Sequence, residues 1–291
     1  TVTFSASATG VDASAFTLAA SGLSGAFITA VTGSGTTWTV TANTGIGSGT
    51  LGLNQTGPGS VRPALTGTFT GQVYTIPAPP PLAEYRMDEA GWSGVPGEVV
   101  DTSGSYPGTA VNSANTTDGS RALPGNPGTC RYGIFDDSNS GGSTITQGYV
   151  ALPGFPNLNT DFTITAWINT PDNTVGSQRI LIDDETNTGG YGLSLGEGGT
   201  GVLRFYARGS STIVLDTPPN TIGNDTWYFV AGVADISNGV RWIYVFDALG
   251  NLLPGLPVSV ASTGWGIDAG MASIGGETNA SIEPPATNHF M

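Results

Sequence analysis

The chain has 291 residues with 38% hydrophobic and 9% aromatic side chains, so it is not a disordered polymer, and its 45 glycines follow no Gly-X-Y period, so it is not collagen. Only 10% of the residues are charged: eight basic residues, all arginine, stand against 22 acidic ones, for a net charge of −14. Such a chain is repelled by phosphate backbones and anionic lipid, which makes nucleic acid and acidic membrane surfaces poor partners, so none is expected, and without lysine it has no Schiff-base chemistry and no P-loop.

The chain opens at Thr1 with no basic-then-apolar leader, and reads as a piece of a longer secreted polypeptide or as a mature form. Residues 1–76 carry only two charges, Asp12 and Arg62. Short alternating runs such as Val2-Thr3-Phe4, Phe27-Ile28-Thr29-Ala30-Val31, Trp38-Thr39-Val40-Thr41 and Val73-Tyr74-Thr75-Ile76 are separated by Gly/Ser/Asn turns. That pattern predicts a small β-sandwich. Residues 77–82 begin Pro77-Ala78-Pro79-Pro80-Pro81 and predict a semi-rigid linker. From 83 to 291 the strands lengthen and become more aromatic. Phe162-Thr163-Ile164-Thr165-Ala166-Trp167-Ile168 alternates, with Phe162, Ile164, Ala166 and Ile168 on one face, and Leu203, Phe205 and Ala207 form a second such set. Trp227–Val233 and Arg241–Phe246 are apolar on both faces and predict strands buried on both sides, with Trp38, Trp167, Trp227 and Trp242 in the core. The expected fold is all-β, a small sandwich joined by the Pro-rich linker to a larger jelly roll.

Two resemblances refine this. Thr3-Phe4-Ser5, followed by Thr9-Gly10-Val11-Asp12-Ala13-Ser14-Ala15-Phe16 and Gly33-Ser34-Gly35-Thr36-Thr37-Trp38, resembles the bacterial Ig-like repeats of surface adhesins over residues 1–76. Ala83-Glu84-Tyr85-Arg86-Met87-Asp88-Glu89, Tyr132-Gly133-Ile134-Phe135-Asp136-Asp137, Asp161–Ile168 and Asp225-Thr226-Trp227-Tyr228-Phe229-Val230-Ala231 resemble the laminin-G-like, concanavalin-A-like lectin/glucanase domains over 83–291. The second is similar to the laminin-G-like region of mannose-sensitive haemagglutinin pilus biogenesis proteins. The resemblances imply an Ig-like unit short of its first strand and a jelly roll short of its last. Open edges of this kind are templates for strand pairing between molecules.

Chemistry is sparse. Glycosidases of the concanavalin-like fold carry paired carboxylates on one strand face, whereas adjacent Asp183-Asp184-Glu185 point to opposite faces, so no enzyme is expected. The single His289 and single Cys130 supply neither a usual zinc site nor a catalytic triad, and Cys130 closes no disulfide within the chain. Calcium needs only oxygen ligands, and the resemblance implies it. The candidate groups are Asp88, Glu89 and Asp101, and Asp183, Asp184 and Glu185, each read alternatively as a solvated acidic loop. Trp92, Tyr106, Tyr191 and Trp265 lie in Gly-rich loops and could stack on a sugar, or anchor their loops on the sandwich. The expected function is extracellular adhesion or recognition of a glycan or surface protein at a bacterial surface, associated with a pilus. The alternatives are a filament subunit that self-assembles through its open sheet edges and, behind it, a glycoside hydrolase.

Overall fold

The computed structural model describes residues 1–55, 60–78, 80–118, 131–135, 148–184, 189–209 and 212–276. The chain forms two compact units, Thr1–Pro81 and Leu82–Met291. Both are all-β and antiparallel, and among the described residues the only helical turn is a 3-10 segment at Ala13–Ala15. No helix of the described residues is long and apolar enough to cross a membrane.

The first unit contains β1 (Val2–Thr3), β2 (Phe16–Ser24), β3 (Phe27–Ser34), β4 (Thr37–Asn43), β5 (Ile46–Gln55) and β6 (Phe69–Ile76). They form two three-stranded sheets, ordered β1-β4-β3 and β2-β5-β6. The core is small: Ala8, Val11, Ala15, Phe16 and Val61 are buried, with Trp38, Val40 and Leu53 packed against them. Asp12 organises the turn into β2, accepting from the Ser14 main-chain N–H at 2.8 Å and the Ser60 hydroxyl at 2.5 Å. The edge strand β6 leaves Phe69, Val73 and Tyr74 exposed.

The second unit begins with the short strands β7 (Thr109–Val111), β8 (Asn115–Thr117), β9 (Tyr132–Ile134) and β10 (Tyr149–Leu152). Next come β11 (Phe162–Ile168), β12 (Gln178–Asp183), β13 (Tyr191–Leu195), β14 (Leu203–Arg208) and β15 (Thr212–Asp216). The unit continues with β16 (Tyr228–Asp235), β17 (Val240–Phe246), β18 (Val258–Ala261) and β19 (Ala272–Gly275). A seven-stranded sheet, β15-β14-β13-β12-β19-β10-β7, packs against a four-stranded sheet, β11-β16-β17-β18, and β8 pairs with β9. Alternation decides what each strand buries. Ile164 and Ile168 of β11 and Leu203, Phe205 and Ala207 of β14 enter the core, as their sequence pattern predicts. Close approach between neighbouring segments needs glycine at two places. A Cβ on Gly192 of β13 would collide with the Tyr206 ring across the strand pair, and Gly190, at φ +83°, turns the chain where a Cβ would collide with the Asp183 carbonyl oxygen.

The two-sided burial expected of the β16 and β17 segments is not what forms. Val230 and Ala234 of β16 and Ile243 and Val245 of β17 enter the core, while Phe229, Trp242, Tyr244 and Phe246 lie half-buried on the opposite face. Trp167 is likewise outside, 37% exposed, and not a core residue. The reason is that a four-stranded sheet in a two-layer sandwich has only one partner layer, so alternate residues must face away from it.

Phe205 is fully buried, with the Phe162 ring edge-to-face at 6.1 Å. Phe205→Ala is expected to cost about 3–5 kcal/mol of stability, read as a lowered urea midpoint with an unchanged denaturant slope.

Candidate ligand-binding face

The register of the four-stranded sheet assembles a strip of five rings on its outer face. Trp167, Phe229 and Phe246 are cross-strand partners in one row. Their ring centroids stand 5.4 Å apart for Trp167–Phe229 and 6.1 Å for Phe229–Phe246. The strip then turns along β17: Phe246 and Tyr244 are parallel to within 5° at 6.4 Å, and Tyr244 and Trp242 follow at 6.4 Å. Interleaved on the same face are the exposed hydroxyls of Thr163, Thr165 and Ser259.

The orientation of β17 is costly. Its sequence, Val-Arg-Trp-Ile-Tyr-Val-Phe, would turn Arg241 to water if Trp242, Tyr244 and Phe246 faced the core. The structure does the reverse. Arg241 is wholly buried, its guanidinium 5.3 Å from the Phe205 ring centroid, with one bond from Nη2 to the Ile213 carbonyl at 2.8 Å. Its Nε and Nη1 have no hydrogen-bond partner, and burial pushes its pKa down to about 10, so it remains charged at neutral pH. A buried cation without a carboxylate is destabilising by several kcal/mol. Departures of this kind from the local pattern concentrate at functional or strained positions.

The face of the seven-stranded sheet turned away from the core is polar and internally neutralised. Arg204 and Asp216 form a fork of two bonds, at 2.7 and 2.8 Å, across β14 and β15. Arg208 Nε donates to Asp184 at 2.6 Å, and Arg179 pairs with Glu197, which also accepts from Ser194 Oγ at 2.9 Å. Burial pushes the Asp184 carboxyl above the usual carboxylate range, and the Arg208 charge pulls it part of the way back.

The residues singled out from the sequence do not converge. Asp88 is exposed, and Glu89 accepts from the Trp92 indole at 3.1 Å and the Val100 N–H at 2.7 Å. Asp101 is buried and accepts from the main-chain N–H groups of Glu84, Ser103, Ser105 and Tyr106 and from the Ser103 hydroxyl. Asp183 is buried near Asn157, whose side-chain nitrogen donates to its Oδ2 at 3.3 Å when the amide is turned to give each of its ends a complementary partner. Asp184 is engaged by Arg208, while Glu185, Cys130 and His289 lie outside the described residues. Among the described residues no three acid, histidine or cysteine side chains are placed to share a metal ion.

The loop aromatics are anchors. Trp92 and Tyr191, read from the sequence either as stackers on a sugar or as anchors, are 6% and 0% exposed and belong to the core, Tyr191 as the first residue of β13, because each has rings of the sandwich to pack on. Trp265 packs edge-on to Phe162 at 5.7 Å and donates from Nε1 to the Leu158 carbonyl at 2.9 Å. Tyr106 packs edge-on to Phe155 at 5.5 Å. The candidate stacking rings named from the sequence were all assigned to loops, whereas the half-exposed rings of the four-stranded sheet stand on strands. The signal that could have found them is parity: Trp167 lies an odd number of residues from Phe162, so the two cannot share a face.

Residues 142–245 match the family described as the Concanavalin A-like lectin/glucanases superfamily, a span that includes β10 to β16 and nearly all of β17. Among curated proteins no match is found. Among solved structures, the CBM40 domain of the Ruminococcus gnavus IT-sialidase, bound to α2,3 sialyllactose, is similar at 14% identity and a TM-score of 0.36. That match covers 46% of this chain and 74% of the other.

Asp101 supplies a pH signature. Burial alone would raise its carboxyl, but the hydrogen bonds from Glu84, Ser103 and Tyr106 outweigh burial and hold its pKa at about 2, below the ordinary 3.8. A depressed carboxylate stabilises the fold above its unfolded value and loses that stabilisation as pH falls through its folded one. About 2 kcal/mol is expected to disappear between roughly pH 4 and pH 2, and Asp101→Asn should flatten that limb of a urea-midpoint-against-pH curve.

Proposed function

We propose that this chain is a non-catalytic recognition module of an extracellular bacterial surface protein, and that it holds glycans on the outer aromatic face of its four-stranded sheet. The observation that carries this reading is the orientation of β17, with three rings outward and a cation inward. Aromatic rings pair an apolar face with a polar edge and are enriched at recognition surfaces, where they offer large contact area at low entropic cost. The match of residues 142–245 to a family of lectins and glucanases supports the carbohydrate part. Binding is favoured over hydrolysis because Glu197, Asp184 and Asp216 on the polar sheet face are each tied to an arginine. In this reading the first unit is an Ig-like spacer and the parent protein is a pilus-associated adhesin. Calcium has no part in ring stacking, and any cation would support the loops instead.

A glycan array of the full chain, with calcium and with chelator, tests this. Binding is expected in both conditions. The double variant Trp167→Ala/Tyr244→Ala should lose about tenfold or more in affinity, since each ring contributes about 0.5–1.5 kcal/mol beyond area burial. Full retention of binding by a folded double variant would sink the reading.

A second reading, a filament subunit assembled by strand pairing, is favoured by β6. This edge strand exposes Phe69, Val73 and Tyr74 and contains no charged residue that would repel another edge. Size-exclusion chromatography over a range of concentrations should then show association that Val73→Lys abolishes. Monomers at every concentration would leave the adhesin reading alone.

A further inference from the structure

We infer that the aromatic face is selective for extended, uncharged glycan chains and discriminates against acidic ones, an inference that rests on the recognition reading above. Three consecutive rows of register on that face contain no charged side chain: Trp167–Phe229–Phe246, Thr165–Ala231–Tyr244 and Thr163–Val233–Trp242–Ser259. A carboxylated or sulfated sugar laid there would find no counter-charge.

The arginines described elsewhere in this unit are engaged. Arg179, Arg204 and Arg208 are paired with Glu197, Asp216 and Asp184, and Arg86 and Arg131 with Glu84 and Asp118. Arg241, on the strand that carries three of the five rings, points into the core. At a net charge of −14, the field of the whole chain repels polyanions at long range.

Length follows from the strip itself. A sugar ring is about the size of one aromatic ring, and the five rings form two arms that meet at Phe246: Trp167–Phe229–Phe246 across the strands at centroid steps of 5.4 and 6.1 Å, and Phe246–Tyr244–Trp242 along β17 at steps of 6.4 and 6.4 Å. An extended chain laid along either arm therefore meets three rings in line, which takes successive sugars and not one. The Thr163, Thr165 and Ser259 hydroxyls beside the rings donate and accept without charge, which suits sugar hydroxyls.

The test is retention of the full chain on immobilised neutral polysaccharides (cellulose, chitin, mannan) and acidic ones (alginate, hyaluronan, polysialic acid), each at low and high salt. The expected result is retention on at least one neutral polymer, undiminished by salt, because no ion pair is there to screen. Trp242→Ala and Trp167→Ala should each weaken it about 2–10-fold. The free monosaccharide should compete far less well than the longer oligomer. Retention on acidic polymers that salt abolishes would overturn the inference while leaving glycan recognition standing. Equal competition by the monosaccharide would overturn its extended-chain part. Absence of retention on either class, with circular dichroism unchanged, would overturn both this inference and the recognition reading. A concentration-dependent dimer abolished by Trp167→Ala would assign the face to a second copy of the chain instead.

Discussion

The larger unit depends on one cluster of rings that locks its two sheets in register. Phe162, at the start of β11, meets Tyr191 at 4.7 Å, Trp265 at 5.7 Å and Phe205 at 6.1 Å. Because Phe162 faces inward, the side-chain period of two places Ile164, Ala166 and Ile168 inward and Thr163, Thr165 and Trp167 outward. Because Phe205 faces inward, Arg204, Tyr206 and Arg208 must lie on the other face of the seven-stranded sheet. Both the aromatic platform and the arginine–carboxylate network are therefore set by packing at the core, and a slip of one residue would exchange them with the apolar interior.

That constraint accounts for how few charges the fold uses and where they go. With so few arginines available, the polar sheet face takes three and neutralises each one locally, a geometry in which partly buried charge-assisted bonds are strong. The fourth, Arg241, is held in the core by the parity of β17 and is balanced only by a carbonyl and a ring face. The same parity that buries Arg241 puts Trp242, Tyr244 and Phe246 on the outer face. The outer face of the four-stranded sheet is thereby left with rings and hydroxyls, and the described charges of the seven-stranded sheet are paired within the fold.

Several elements are legible in the residue pattern alone. The alternation in Phe162–Ile168 and Val202–Arg208 identifies strands and their inward faces correctly, because burial on one side leaves a period-two trace. Asp12 and the Gly-rich turns mark where strands of the first unit begin. Whether Trp92 and Tyr191 stack outward or turn back on the sandwich is not decided by the sequence, since a ring flanked by glycines carries no periodicity to choose between the two. Nor is the task of Asp101, whose carboxylate gathers main-chain N–H groups from a loop that only the folded chain brings around it.

The sequence by itself determined the all-β class, the positions of the most clearly alternating strands and a net charge that disfavours polyanions, because these follow from composition and from local periodicity. It could not determine which side of β16 and β17 faces the core, since both sets of alternate residues are bulky and largely apolar. Only the tertiary structure decided that. The ring cluster around Phe162 and Phe205 fixes the parity of β11, pairing carries that parity through β16 to β17, and five aromatic rings are left facing outward.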